Sequence, residues 1–179
     1  MEIKSESSMS KIIITGPESS GKTTLFNQLI KSFDVIGVEE FARKYINQLN
    51  EPYCFDDILE IAIGQLKTEM DVIDLKQSLL IGDTDLLTLE IWSEFKYQKC
   101  HSFIKENLSN HLPDVYLLCH PDIPWVYDSQ RENPNDRLEL FTIFEQKIKS
   151  LEIDYHIIRG NEDERLEKSK TIINNIKKS

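Results

Sequence analysis

Gly16-Pro17-Glu18-Ser19-Ser20-Gly21-Lys22-Thr23 concentrates more chemistry than any other stretch of this chain. The two glycines allow a loop so tight that successive backbone N–H groups converge on phosphate oxygens. Lys22 adds a cation that reaches the outer phosphates of a nucleoside triphosphate, and the Thr23 hydroxyl is a ligand for Mg2+. The spacing GxxxxGK(S/T) is met at every fixed position. ATP and Mg2+ are therefore the expected ligands.

Transfer of a phosphoryl group asks for three further parts: carboxylates near the phosphate, room for an acceptor, and a mobile arginine. Glu39 and Glu40 follow the apolar run that ends at Val38. Glu40 in particular can take the proton of an acceptor hydroxyl, or serve only as a helix-start acid favoured by the dipole. Asp83 and Asp85 follow Leu79-Leu80-Ile81. Asp83 can hold the metal or orient the hydroxyl, while Asp85 either joins it or merely caps the next helix. The catalytic base stays open between Glu40 and Asp83. Arg43 lies about one helical turn beyond Glu40, facing the same site or forming a surface ion pair. Arg131 and Arg137 flank Glu132-Asn133-Pro134-Asn135-Asp136. Either guanidinium can bridge the transferred phosphoryl, with Arg131 preferred, or both belong to a solvated, ion-paired loop. Trp125 can stack on a planar cationic ring or pack against a neighbouring helix.

These residues need strand ends and helix starts to hold them. Lys11–Thr15 reads as a buried strand and Thr24–Ile30 as an amphipathic helix, the two flanks a phosphate loop requires. Further strands are expected at Asp34–Val38, Leu79–Gly82, Asp114–Cys119 and Tyr155–Arg159. Helices are expected from about Glu40, from Asp56, from Asp85 to about Tyr97, before Leu112, from Leu138 and from Asn161. Asn161 with Glu164 three residues on reads as a capping box. This alternation predicts an α/β fold, a three-layer P-loop NTPase sandwich around a five-stranded parallel sheet. The proline-rich stretch 121–137 is expected as a lid.

Composition narrows the partners. The chain has 179 residues, 21 Lys+Arg against 31 Asp+Glu, and a formal charge of −10. One domain fits that length, and such an acidic balance argues against broad binding to nucleic acid or an anionic membrane. Cys54, Cys100 and Cys119 form no CxxC pair, which favours reduced thiols in a cytoplasmic protein. No apolar run is long enough for a membrane span. Met1–Ser10 is polar and reads as a disordered leader before a domain over 11–179. GTPase and transporter readings fall away, because the chain has no Asn-Lys-x-Asp and no LSGGQ-like signature; Asp34-Val35-Ile36-Gly37 lies inside an expected strand.

The loop, Glu39-Glu40-Phe41-Ala42-Arg43-Lys44-Tyr45, Asp83-Thr84-Asp85 and Pro121-Asp122-Ile123-Pro124-Trp125-Val126-Tyr127-Asp128-Ser129-Gln130-Arg131-Glu132 together resemble the ribosylnicotinamide kinase domain of NadR-type proteins. That group is also catalogued among small AAA-like P-loop ATPases and kinases. The resemblance runs from Lys11 to the last helix and implies transfer of the ATP γ-phosphate to the 5′-hydroxyl of nicotinamide riboside. It implies that Gly16 to Thr24 cradle Mg-ATP and that Glu40, Arg43, Asp83 and Asp85 hold metal, ribose or hydroxyl. It further implies Trp125 beside the nicotinamide ring, Asp128 and Arg131 as polar lid residues, and the strand order 2-3-1-4-5. An acid usually stands where this chain has Tyr127, and a non-proline where it has Pro124. The adenylyltransferase domain with its His-x-Gly-His motif, and the DNA-binding domain that some of these proteins add, are both absent from this sequence, so neither NAD synthesis from the mononucleotide nor operator binding is expected.

Overall fold

Short β-branched runs separated by helical stretches cannot pair as hairpins; each strand must return through a crossover and lie parallel to its neighbour. The computed structural model of the chain, which describes residues 9–176, has that arrangement. Its elements are β1 (Ser10–Thr15), α1 (Lys22–Phe33), α2 (Phe41–Ile46), α3 (Phe55–Ile73), β2 (Leu79–Asp83), α4 (Leu86–Tyr97), α5 (Ser102–Asn110), β3 (Val115–Cys119), α6 (Arg137–Ser150), β4 (Asp154–Ile158) and α7 (Glu162–Ile176). The strands form one parallel sheet in the order β2-β1-β3-β4. Of the expected leader, residues 1–8 lie outside the described residues, whereas Met9 packs on the core and Ser10 opens β1.

The period-2 alternation of the strands makes the layers. Ile12, Ile14, Leu79, Ile81, Val115 and Leu117 are buried beneath α1 and α7. Ile13, Leu80, Tyr116 and Leu118 point the other way, beneath the layer α2 to α6. Both faces of β1, β2 and β3 are thus covered, as continuous apolar strands demand.

One expectation is corrected: the sheet has four strands, not five. Asp34–Val38 was the expected outer strand, and only Val38 joins the sheet, as a single parallel bridge to Gly82. Its N–H donates to Ile81 O at 2.9 Å, and its carbonyl accepts from Asp83 N at 2.8 Å. Upstream, the Gln77 side-chain amide occupies both backbone groups of Ile36, at 2.8 and 2.9 Å. A backbone satisfied by a side chain gains nothing further from a ladder. Ile36 itself is 58% exposed, so no packing pulls the segment into a strand. The order implied by the resemblance otherwise holds, with that outer strand reduced to its last residue.

The helix starts follow local chemistry. Asn161 and Glu164 close the expected capping box at α7, with side chain and backbone exchanging bonds of 2.9 and 3.0 Å. Residues 121–136 contain no helix or strand, in keeping with their prolines. Among the described residues, no helix is long and apolar enough to cross a membrane.

Candidate active site

The phosphate loop begins where β1 ends. At Gly16 (φ +134°) a Cβ would lie 2.7 Å from the carbonyl oxygen of Cys119 at the end of β3, so only glycine lets the chain turn there. Gly21, at φ 83°, stands at the N-cap of α1 and presents the helix start to the loop's interior. The Ser20 hydroxyl closes the loop from inside by donating to Pro17 O at 2.7 Å. Lys22 Nζ donates to the same carbonyl at 2.8 Å. All nine residues from Gly16 to Thr24 line one pocket of about 180 Å³.

Two aspartates separated by one residue have opposite surroundings. Asp83, at the C-terminal end of β2, accepts the Thr23 hydroxyl on Oδ2 at 2.7 Å. Its Oδ1 is buried and has no hydrogen-bond partner among the described residues. Burial, reinforced by the charge of Glu40, pushes this carboxyl up to about 6. A bare buried oxygen beside a hydroxyl is a hard donor pair suited to Mg2+. Among the described residues no three His, Cys, Asp or Glu side chains gather to hold a metal by themselves.

Asp85 goes to the interior instead. It caps α4 by accepting Leu87 N at 3.1 Å and takes the Tyr116 hydroxyl at 2.6 Å. Burial pushes it up to about 6 as well. It lines neither pocket, so of the two sequence readings the helix cap is the one the structure supports.

Glu40, the N-cap of α2, lines both the main pocket and a second one shared with Thr23, Asp83 and Arg43. Its carboxylate lies 4.0 Å from Arg43 Nε. Arg43 also lines both pockets and pairs with Asp128 at 2.9 Å. The Gln130 backbone N–H and then Arg43 hold the Asp128 carboxyl below the usual range. Asp128 therefore anchors the lid to α2 and is not a pocket wall.

The lid folds over the loop through side chains whose partners were hidden in the sequence. Glu18 accepts the backbone N–H of both Glu132 and Asn133 at 3.0 Å. The Ser19 hydroxyl accepts Val126 N at 3.0 Å. Arg131 lines the main pocket and donates to Val126 O at 2.5 Å. Glu132 is held in turn by Tyr53 and Lys96, at 2.7 and 2.9 Å.

The acceptor side departs from expectation. Trp125 does not line either pocket; the guanidinium of Arg137 sits 5.7 Å from its ring centre. Trp92 faces the pocket instead, with Ile91 and Phe95 from α4 and Leu140 and Phe144 from α6. Thr88, Ile91, Trp92 and Phe95 stand at the i, i+3, i+4, i+7 positions of one helical stripe, a signal present in the sequence. It is masked because α4 is apolar around most of its circumference, so a pocket wall and a core face look alike.

The comparisons with known proteins bear on the fold and the family. The chain is 24% identical over 163 residues to the trifunctional NAD biosynthesis/regulator protein NadR of Salmonella typhimurium, covering 86% of this chain and 39% of that protein. It is 24% identical over 152 residues to its Escherichia coli namesake, covering 80% and 37%. The chain thus spans about two fifths of the length of these curated relatives. Among solved structures, a NadR protein in complex with NR has a TM-score of 0.74 at 19% identity, covering 96% of this chain and 52% of that one. Thymidylate kinase from Ehrlichia chaffeensis scores 0.65 at 14% identity, covering 92% and 99%. At such identities the likeness is one of fold, a P-loop kinase-like α/β sandwich. A sequence model of the AAA domain matches residues 11–165, which include the phosphate loop, Asp83, the aromatic stripe of α4 and the lid, and the chain belongs to that family.

Proposed function

We propose that this chain is an ATP-dependent kinase for the 5′-hydroxyl of nicotinamide riboside, yielding nicotinamide mononucleotide. One observation carries the reading: a single pocket joins the phosphate loop, the Glu40 carboxylate and an aromatic wall of Trp92, Phe95 and Phe144. Phosphate, proton acceptor and a flat apolar subsite are the needs of a reaction between ATP and a nucleoside. The named relatives act in NAD biosynthesis, and one solved neighbour binds NR; both support nicotinamide riboside among possible nucleosides. A pyridinium ring is attracted both to an aromatic face and to a chain of charge −10.

The roles divide by geometry. Thr23 and Asp83 would hold Mg2+, which when bound neutralises charge on the phosphates. Asp83 already accepts the Thr23 hydroxyl, so the proton of the acceptor hydroxyl goes to Glu40, which faces both pockets. Lys22 exchanges its bond to Pro17 O for phosphate oxygens as ATP enters. Arg131, hinged on Val126 O, is within the pocket to meet the equatorial oxygens of the group in transfer. Arg43 spans Glu40 and Asp128 and so couples lid position to the base.

The test is product detection by mass spectrometry after incubation with Mg-ATP and a panel of nucleosides. The expected result is a mononucleotide from nicotinamide riboside. Phosphorylation of another nucleoside alone would keep the kinase and replace its substrate. Hydrolysis of ATP with no phosphorylated acceptor would overturn the kinase reading in favour of a nucleotide-sensing ATPase.

A further inference from the structure

Arg165 of α7 is buried, with a side chain only 4% exposed, and nothing in the transfer chemistry above uses it. An arginine is rarely hidden without a purpose that repays its desolvation. Its guanidinium reaches four acceptors drawn from separate parts of the chain. Nε donates to Gly160 O at 2.7 Å, one Nη donates to Ser20 O at 2.8 Å, and the other donates to His120 O at 2.9 Å and to the Asp122 carboxylate. Asp122 in turn accepts Gly160 N at 2.9 Å. Arg165 therefore ties the start of α7, the segments following β3 and β4, and the phosphate loop to one planar group.

The bond to Ser20 has a consequence for the loop. A trans peptide holds its C=O and N–H pointing in opposite directions. With the Ser20 carbonyl drawn back onto Arg165, the N–H of Gly21 on the same peptide is turned the other way, away from the arginine. Gly21 lies directly against the arginine: a Cβ there would be 3.6 Å from its Nη1.

We infer that Arg165 is a positioning residue for nucleotide binding: from the last helix it holds the Ser20–Gly21 peptide in its phosphate-binding orientation. The inference rests on the reading of residues 16–24 as a nucleotide cradle. Lysine cannot replace it, because a single ammonium with three donors cannot span four acceptors in one plane. No sequence motif records Arg165, because three of its four acceptors are backbone carbonyls.

The test uses the full chain and the variant R165K. A fluorescent ATP analogue is titrated with Mg2+ present, and acceptor KM, kcat and thermal midpoint are measured alongside. The expected result is analogue binding weakened tenfold or more and a raised ATP KM, with acceptor KM changed less than twofold and a folded domain retained. R165K that folds and binds the analogue as the unaltered chain does would overturn the inference, as would equal losses toward ATP and acceptor. Should R165K fail to fold, the unaltered protein carries the test: the 15N signal of Arg165 Nε should shift on adding Mg-ATP along the same titration curve as the fluorescence. A signal that stays in place overturns the inference. An unaltered chain that binds ATP without phosphorylating any nucleoside sinks the kinase reading and leaves this one standing. One that binds no nucleoside triphosphate sinks both.

Discussion

The two halves of the site are built in different ways. The donor half is one continuous loop, residues 16–24, whose shape comes from backbone conformation: a glycine at φ +134°, another at φ 83°, and a helix start. The acceptor half is assembled from side chains that are distant in sequence, with Glu40 before α2, Trp92 and Phe95 on α4, and Leu140 and Phe144 on α6. A loop of backbone amides recognises any triphosphate, so its pattern is rigid and readable. A wall of side chains can be rebuilt with other apolar residues while the fold stays the same. The strand-end aspartates repeat the contrast at short range: Asp83 leaves one oxygen without a partner among the described residues, whereas both oxygens of Asp85 accept structural hydrogen bonds.

Five substitutions test these contrasts. Lys22→Ala should have the largest effect, lowering transfer by about 10³-fold or more while circular dichroism shows an intact fold, since the loop's charge acts on developing phosphate charge. Loss of the fold instead would mean that the bond to Pro17 O is structural.

Next comes the aspartate pair. Asp83→Asn should lower kcat by about 10²-fold without lowering the thermal midpoint. Asp85→Asn should do the reverse, costing about 1–3 kcal/mol of stability through the Tyr116 and Leu87 bonds. Equal effects on activity would erase the distinction drawn between them. Asp83 also sets a pH dependence. Its carboxyl, raised to about 6, must be ionised to ligate Mg2+, so activity should climb through pH 6 to a plateau above it. The stability sign is opposite: the folded chain holds this proton at pH values where the unfolded chain has lost it. Between about 4 and 6 the Asp83 contribution therefore falls as pH rises, and thermal midpoints of wild type and Asp83→Asn should converge toward the acid end.

The smallest expected effect tells the two tryptophans apart. Trp92→Ala should raise acceptor KM by about tenfold, with ATP KM steady, because only it lines the pocket. Trp125→Ala should change acceptor KM by less than about twofold, its ring lying against Arg137. The opposite ranking would return the acceptor ring to the lid and displace the aromatic stripe of α4.

Much of the fold was legible because its signals are local. Apolar runs marked β1 to β4 within a residue or so, and Asn161 with Glu164 marked the start of α7. The outer strand misled because Asp34–Val38 has the composition of a strand, while Gln77, over thirty residues away, decides that Ile36 does not pair. Among site residues, Lys22, Thr23, Glu40, Arg43, Asp83 and Arg131 converge on the adjoining pockets as read from the chain. Asp85 and Trp125 do not, since a carboxylate near a strand end and a tryptophan in a loop are equally fit for a cap or a stack.

By itself the amino-acid order determined the phosphate loop, the parallel α/β layering and the acid at the end of β2, because each depends on neighbours within a few residues: glycine conformations, period-2 burial, a strand running into a helix. Only the tertiary structure decided which tryptophan lines the pocket, which aspartate keeps an unpartnered oxygen, and that Arg165 stands behind Ser20. Those outcomes turn on where a side chain points once distant elements have packed, and on hydrogen bonds to backbone carbonyls that every residue type carries alike.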